Sequence, residues 1–245
     1  MATYQTYTAI GQREDLSDVI YNISPTDTPM MSSIGKTKAT AVYHEWQTDS
    51  LASAALNVTV EGATASDITI SPTTRVGNRC QISQKTIKIS NTLQAVDKAG
   101  RKPEKAYQLA KGSAEIKRDM ELTLLSNQVA TNGNSSTARA LGGLQAWLST
   151  SYSGGTSGVA GSLGTTARTN GTNRTFTEAI LQAVVKSVYA AGGNAKILMV
   201  TPAHKQTVSA FTGIAAQRYM APSNAPTTII GAADVYLSDF GTLSV

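Results

Sequence analysis

The chain has 245 residues, enough for one large domain or two small ones with a sizeable core. Only 15% of residues are charged, and Ala, Thr, Ser and Gly dominate, which suits extended β structure, long loops and surfaces that meet other protein. The single cysteine, Cys80, excludes an internal disulfide framework. The segment MATYQTYTAIGQREDLSD has no apolar h-region, and no run approaches transmembrane length, so folding in a cytoplasm without membrane insertion is expected.

Net charge is +5, and its placement matters more than its sum. Between Arg75 and Arg118, eleven Lys/Arg face three acidic residues, a local balance of +8 that leaves about −3 elsewhere. Such a segment suits a face turned towards polyanion, held without sequence preference, or ion pairs to neighbouring subunits. No helix-turn-helix, zinc-finger or aromatic-plus-basic RNA-binding pattern accompanies it.

Residues 1–36 read as an arm. Thr3–Ile10 is polar and extended in character. Leu16, Val19, Ile20 and Ile23 recur at helical spacing, and the Ser24-Pro25-Thr26-Asp27-Thr28-Pro29 run breaks that pattern. A segment this poor in apolar residues has no core of its own. It must pack on the rest of the chain or on another copy.

Thr40–Thr48 alternates and carries Val42, Tyr43 and Trp46, which predicts a strand. Ser50–Ser71 is small and polar, with Val58, Val60, Ile68 and Ile70 alternating, and reads as a long two-stranded excursion. Arg75–Ser90 reads as the returning strand, with a change of phase near Ser83–Lys85 that suggests a bulge or break. A hairpin so poor in large apolar residues is marginal alone and gains stability by lying on a neighbouring subunit.

The longest periodic stretch is Arg101–Val129, read as one helix. Pro103 suits its first position and Glu104 its positive end. Leu109, Ile116, Met120 and Leu124 line one face, and Tyr107, Ala114, Leu125 and Val129 line roughly the opposite one. Two apolar faces predict a helix clamped between layers, spanning about 40 Å.

Thr131–Thr175 is rich in Gly, Ser, Thr and Asn, with Leu141–Leu148 as its one apolar island. It holds no G-x-x-x-x-G-K-[ST] and no strand–G-x-G-x-x-G–helix arrangement, and a flexible or extended loop is expected. Thr175–Val245 reads as an α/β unit. Thr175 and Glu178 form a capping-box pair ahead of a helix to Ala191, stopped by Gly192-Gly193. Lys196–Val200 reads as a short buried strand. A second helix opens at Thr201-Pro202, runs to Phe211 and closes at Gly213. Strands are predicted at Thr227–Ile230 and Asp234–Leu237.

Chemistry-bearing clusters are scarce. His44 and His204 lie in different units, and a lone cysteine with scattered carboxylates lacks metal-ligand spacing. Ser209 has no G-x-S-x-G context. Glu115, Asp119 and Glu121 beside Lys117 and Arg118 suit paired, solvated charges rather than acid–base work. No cofactor, metal, membrane or small-molecule substrate is expected. In the strand, His44 and Trp46 share a face, which points to an anchoring contact.

The segments KTKATAVYHEWQTDSLA (36–52), NRCQISQKTIKISNTLQAVDKAGR (78–101) and AYQLAKGSAEIKRDMELTLLSNQ (106–128) closely resemble the tailed-phage major head protein family of the SU-ten type. The resemblance covers Leu16 to Val245, and its HEWQTDSL and EIKRDMEL wordings are specific. It implies an α+β chain of the Hong Kong 97-type capsid fold, divided into an N-terminal arm (1–36), an E-loop hairpin with flanking strands (37–100), a peripheral domain with spine helix and Gly-rich insertion (101–174) and an axial domain (175–245). Family members usually continue with further strands of the peripheral domain, so a truncated chain is expected.

The resemblance further implies a non-enzymatic subunit that assembles as pentamers and hexamers into an icosahedral or prolate virion shell around packaged double-stranded DNA, built in the host bacterial cytoplasm. Scaffold, portal and decoration proteins are candidate partners. Candidate intersubunit contacts are His44, Trp46, Gln47, Glu61 and Arg75; candidate DNA-facing residues are Arg101, Lys102, Lys105 and Lys111. An encapsulin-type nanocompartment shell is the alternative of the same fold, and a basic nucleic-acid-binding module the alternative of another class.

Overall fold

The computed structural model describes residues 7, 10, 19–22, 24–100, 103–211 and 233–245. Its elements in chain order are α1 (Pro29–Ser33), β1 (Tyr43–Thr48), β2 (Thr74–Arg79), α2 (Asn91–Ala95), α3 (Glu104–Leu125), α4 (Leu144–Trp147), α5 (Glu178–Ala190), α6 (Pro202–Ser209), β3 (Val235–Ser238) and β4 (Gly241–Ser244). This is a mixed helix-and-strand chain, compatible with the α+β class. Most of the proposed helix before Ile23, Arg101, Lys102, the close of the second C-terminal helix at Gly213 and the strand at Thr227–Ile230 lie outside the described residues. Two compact units emerge, residues 1–32 with 83–122, and residues 33–82 with 123–245.

The first unit is built along α3. The helix has 22 residues, about 33 Å at 1.5 Å per residue. It begins at Glu104, with Tyr107 N–H reaching the Pro103 carbonyl at 3.4 Å. The expected clamp of two apolar faces forms only in part: Tyr107, Ala114, Ile116, Met120, Leu124, Leu125 and Val129 are half-buried, and Leu109 is exposed. The buried positions are Glu104, Gly112 and Glu121, whereas Leu109 is 61% and Leu122 is 73% exposed. Gly112 is small because Ile87 lies against it: an added Cβ would sit 2.9 Å from Ile87 Cδ1. The Glu121 carboxylate accepts the Met30 and Met31 backbone N–H groups at 2.7 and 2.9 Å, tying α1 to α3. Ser90 caps α2 by accepting the Leu93 N–H at 3.2 Å.

In the second unit β1 and β2 pair antiparallel, from Tyr43↔Arg79 to Thr48↔Thr74. Cys80 N–H adds one bond to the Val42 carbonyl at 2.9 Å. The returning strand therefore stops near Cys80 and does not run to Ser90. The excursion between the strands is not two-stranded either. No paired strand lies within 49–73, and its turn at Glu61-Gly62 is closed by one bond, Ala63 N–H to the Val60 carbonyl at 3.1 Å. Polar β-branched residues favour extended backbone here but provide no cross-strand apolar pairs to hold a ladder.

The last turn of α3 ends earlier than its periodicity suggests. Ser126 N–H turns back to the Thr123 carbonyl at 3.3 Å and its hydroxyl donates to the same carbonyl at 2.8 Å. Beyond it, the Gly-rich segment is pinned rather than a free loop. The Asn127 amide pairs with both backbone groups of Arg168, at 2.7 Å each. Asn134 Oδ1 accepts the Ser136 and Thr137 N–H groups. Isolated bridges join Thr131 to Ala140, Val159 to Thr169 and Ser162 to Thr166. Side-chain amides thus do the work that a regular ladder does elsewhere.

The hydrophobic core lies under α5, α6 and the β3–β4 hairpin. Leu181, Val185, Val208, Phe211, Tyr236 and Leu243 form it, with Phe176, Leu198 and Phe240 packed at its edge. Thr177, not Thr175, occupies the cap of α5, and its side chain makes no capping bond. Glu178 instead accepts the Tyr236 hydroxyl at 3.0 Å, a core contact that outcompetes the local box. Burial is the main reason that the Tyr236 phenol is held above its usual titration range. Gly192, at φ +80, ends α5 as its sequence predicts. Thr201 caps α6 through the His204 N–H. Lys196–Val200 is no full strand: it makes a single parallel bridge, Ile197↔Ser244, and Ile197 is 53% exposed.

Candidate functional site

Four of the five candidate contact residues, His44, Trp46, Gln47 and Arg75, lie at the root of the 49–73 excursion. Alternation places His44 and Trp46 on one face of β1, with ring centroids 6.0 Å apart. Trp46 also stacks on Trp147, centroids 5.3 Å apart and planes 23° from parallel. Such a pair contributes about 1 kcal/mol beyond its buried area. Trp46 nevertheless stays 42% exposed, so half its surface remains for another partner. Trp147 is held there by β2. The Asn78 amide pairs with Gly142 in both directions, donating to its carbonyl at 3.0 Å and accepting its N–H at 2.8 Å.

The opposite face of the strands is braced by polar contacts. Arg75 pairs with Glu45, and Gln47 Oε1 accepts the Thr73 hydroxyl at 2.9 Å. Arg79 lies over the Tyr43 ring, 4.1 Å from its centroid. Arg75 is therefore already committed within the chain. Glu61 stands apart at the exposed turn, with no ion pair among the described residues.

The basic segment is partly neutralised internally. Lys85 Nζ sits 3.0 Å from Asp119 and 3.3 Å from Glu115, and Lys111 lies 4.0 Å from Glu115. Lys98 donates to the Leu93 and Val96 carbonyls at the end of α2. Lys105 and Lys111 are both exposed, and Lys105 joins Lys85 and Lys88 along an open groove of about 820 Å³. The other two candidates, Arg101 and Lys102, fall outside the described residues.

The hydrogen bond to Asp119 is the chief cause holding the Lys85 ammonium above its ordinary value of 10.5, with Glu115 adding to it. A pKa raised on folding contributes stability that is present below the unfolded value and lost as pH rises past it. Lys85→Met should therefore lower the melting temperature slightly at neutral pH and low salt. The difference from wild type should shrink above pH 10.5 and in roughly 1 M salt, where the pair is uncharged or screened. A deficit unchanged by either condition would assign Lys85 a packing role.

Sequence reasoning missed Trp147 as the partner of Trp46, although it had marked Leu141–Leu148 as an apolar island. It also missed Arg168 and Arg174, which converge on one pocket from a segment whose composition suggested only a loop. Among the described residues, no group of three or more His, Cys, Asp or Glu could hold a metal, and no helix is long and apolar enough to cross a membrane.

This arrangement, a braced hairpin root carrying a long exposed excursion, coincides with likeness along nearly the whole chain. Residues 2–245 match the family model described as SU10 major capsid protein. The major capsid protein of Escherichia phage Phieco32 is 32% identical over 235 residues, covering 82% of this chain and 67% of that protein. The chain belongs to the SU10 major capsid protein family, and its place is that of a phage major capsid protein, a component of the virion.

Proposed function

We propose that this chain is the repeating subunit of a tailed-phage head shell of the Hong Kong 97 type, enclosing packaged double-stranded DNA. Residues 1–36 act as the arm, 37–100 as the E-loop and its flanking strands, 101–174 as the peripheral region with α3 as spine, and 175–245 as the axial region. Pentamers and hexamers follow, since closed symmetry lets every copy both offer and receive the same protruding pieces.

The observation that carries this reading is the excursion between β1 and β2. Leu51, Leu56, Val58, Val60, Ile68 and Ile70 are each 80% or more exposed. Full burial of one such side chain contributes about 1.5–3 kcal/mol, so a row of them is a large unrealised stabilisation. Only eight hydrophobic residues are buried among the described ones. Neighbouring copies supply the missing cover. His44, Trp46, Gln47 and Glu61, with Arg75 as part of its ion pair to Glu45, serve as intersubunit contacts on or beside this excursion, and Arg101, Lys102, Lys105 and Lys111 serve as the cations for DNA.

The test is replacement of residues 56–70 by a short Gly-Ser connector. The variant subunit should keep its far-ultraviolet circular dichroism and melting curve, yet form no shells, tubes or capsomers by electron microscopy at concentrations where wild type does. Normal particles from the shortened chain would refute the reading. So would loss of the fold, which would make the excursion part of the subunit's own core.

A further inference from the structure

We infer that a pocket between the Gly-rich segment and the start of α5 is a receptor for a side-chain carboxylate of a second copy of this chain, and that the carboxylate is Glu61. The inference rests on the assembly reading above and names one contact within it. Arg168, Arg174, Tyr152, Ser153, Asn170 and Asn173 line the pocket, which holds about 370 Å³. Every side-chain charge on its lining is positive. Glu178 lies just beyond, but its carboxylate is engaged by the Tyr236 hydroxyl.

Both guanidinium groups are positioned yet lack an anion. Arg174 Nη2 donates to the Ser153 carbonyl and hydroxyl. Arg168 Nη2 donates to Asn170 Oδ1 at 2.9 Å, and its guanidinium lies 5.6 Å from the Tyr152 ring centroid. The backbone of Arg168 is fixed by the Asn127 amide, so the side chain starts from a rigid base. Its Nε is buried with no hydrogen-bond partner. Leaving that donor unpaired is costly, and since it is closed off from solvent an incoming group meets the Nη nitrogens of the guanidinium instead. Neither arginine forms an ion pair among the described residues.

Two held guanidinium forks match a planar carboxylate better than any neutral ligand. The pocket is open to solvent, and a space of about 370 Å³ admits a side chain, whereas a nucleic-acid backbone needs an extended track. The complementary charge lies on the excursion. Residues 49–73 hold Asp49, Glu61 and Asp67 and no Lys or Arg. Asp49 already accepts the Ser50 N–H. Glu61 stands at the turn, the part that enters a pocket first, about 40 Å from the strand ends if the chain is extended.

Charge exchange tests the contact in the full chain. Glu61→Lys and Arg174→Glu should each lower the fraction of subunits sedimenting as particles by at least about tenfold, and the two together should restore it to within about twofold of wild type. Glu61 is exposed at a turn, so unchanged assembly of the Glu61→Lys chain overturns the inference without appeal to folding. A double variant that stays unassembled although both single variants keep the wild-type melting curve also overturns it. If Arg174→Glu fails to fold, Arg174→Gln replaces it: loss equal in Glu61→Gln, Arg174→Gln and their combination supports the contact, and additive losses refute it. Assembly intact in Arg174→Glu with loss of bound DNA would assign the pocket to phosphate instead. Wild-type chain that forms no particles would overturn the assembly reading as well, which separates the two failures.

Discussion

Gly143→Ala should cost at least about 3 kcal/mol and lower the melting temperature by roughly 6–12 °C. Gly143 is buried where the end of α3 meets the start of α4. A Cβ built on it would lie 2.3 Å from the Ser126 carbonyl oxygen and 2.9 Å from the Thr123 carbonyl and the Ser126 hydroxyl. Backbone atoms cannot yield as a flexible side chain can. Nor can Gly143 move alone, because its N–H bonds the Gln128 carbonyl at 2.8 Å and its own carbonyl accepts Ala146 and Trp147. Relief of the clash must open one of these bonds and shift Trp147 away from Trp46. The control is Gly35→Ala, exposed with nothing within 4 Å, which should melt as wild type does. Equal melting of the two variants would disprove the close approach. Near-ultraviolet circular dichroism should show the altered tryptophan pair in Gly143→Ala alone.

Glu121→Gln should cost about 2–3 kcal/mol despite near-identical size. Glu121 is 8% exposed, and its carboxylate uses one oxygen for each of two adjacent backbone donors. An amide keeps one acceptor and turns an N–H₂ towards the second donor. The ionised acceptor also complements the N-terminal end of the short α1. Hydrogen exchange at the Met30 and Met31 amides should quicken in the variant. Unchanged exchange and stability would show that α1 is held by other contacts.

These two residues also mark the limit of what the sequence displays. Strand β1, the helices α5 and α6, and the stop at Gly192 are legible because their signals are local: alternation, a Thr-Pro start, a glycine at positive φ. The shared face of His44 and Trp46 follows from the same alternation. Glu121 looks like one of several solvated helix charges, since its partners lie about ninety positions away in the chain. The Thr175–Glu178 box failed for a like reason, a buried tyrosine in β3 outbidding the nearby backbone. Trp147 and the two arginines of the pocket sit in a segment whose composition reads as loop. There, structure comes from amide side chains gripping backbone, as Asn127, Asn134 and Asn78 do, and such grips leave no period to count. The early end of α3 was hidden too, because Ser126 terminates it by folding its hydroxyl onto Thr123.

The sign of the charge between β1 and β2 also governs what the excursion avoids. Two such ribbons brought edge to edge would set β-branched, weakly charged windows together, the composition that favours indiscriminate stacking. Each ribbon, however, carries three acidic groups and no basic one. Like therefore repels like, and the acids act as gatekeepers against ribbon-on-ribbon clumping in a crowded cell. The acids that keep two such segments apart leave each one free to meet a surface of opposite sign.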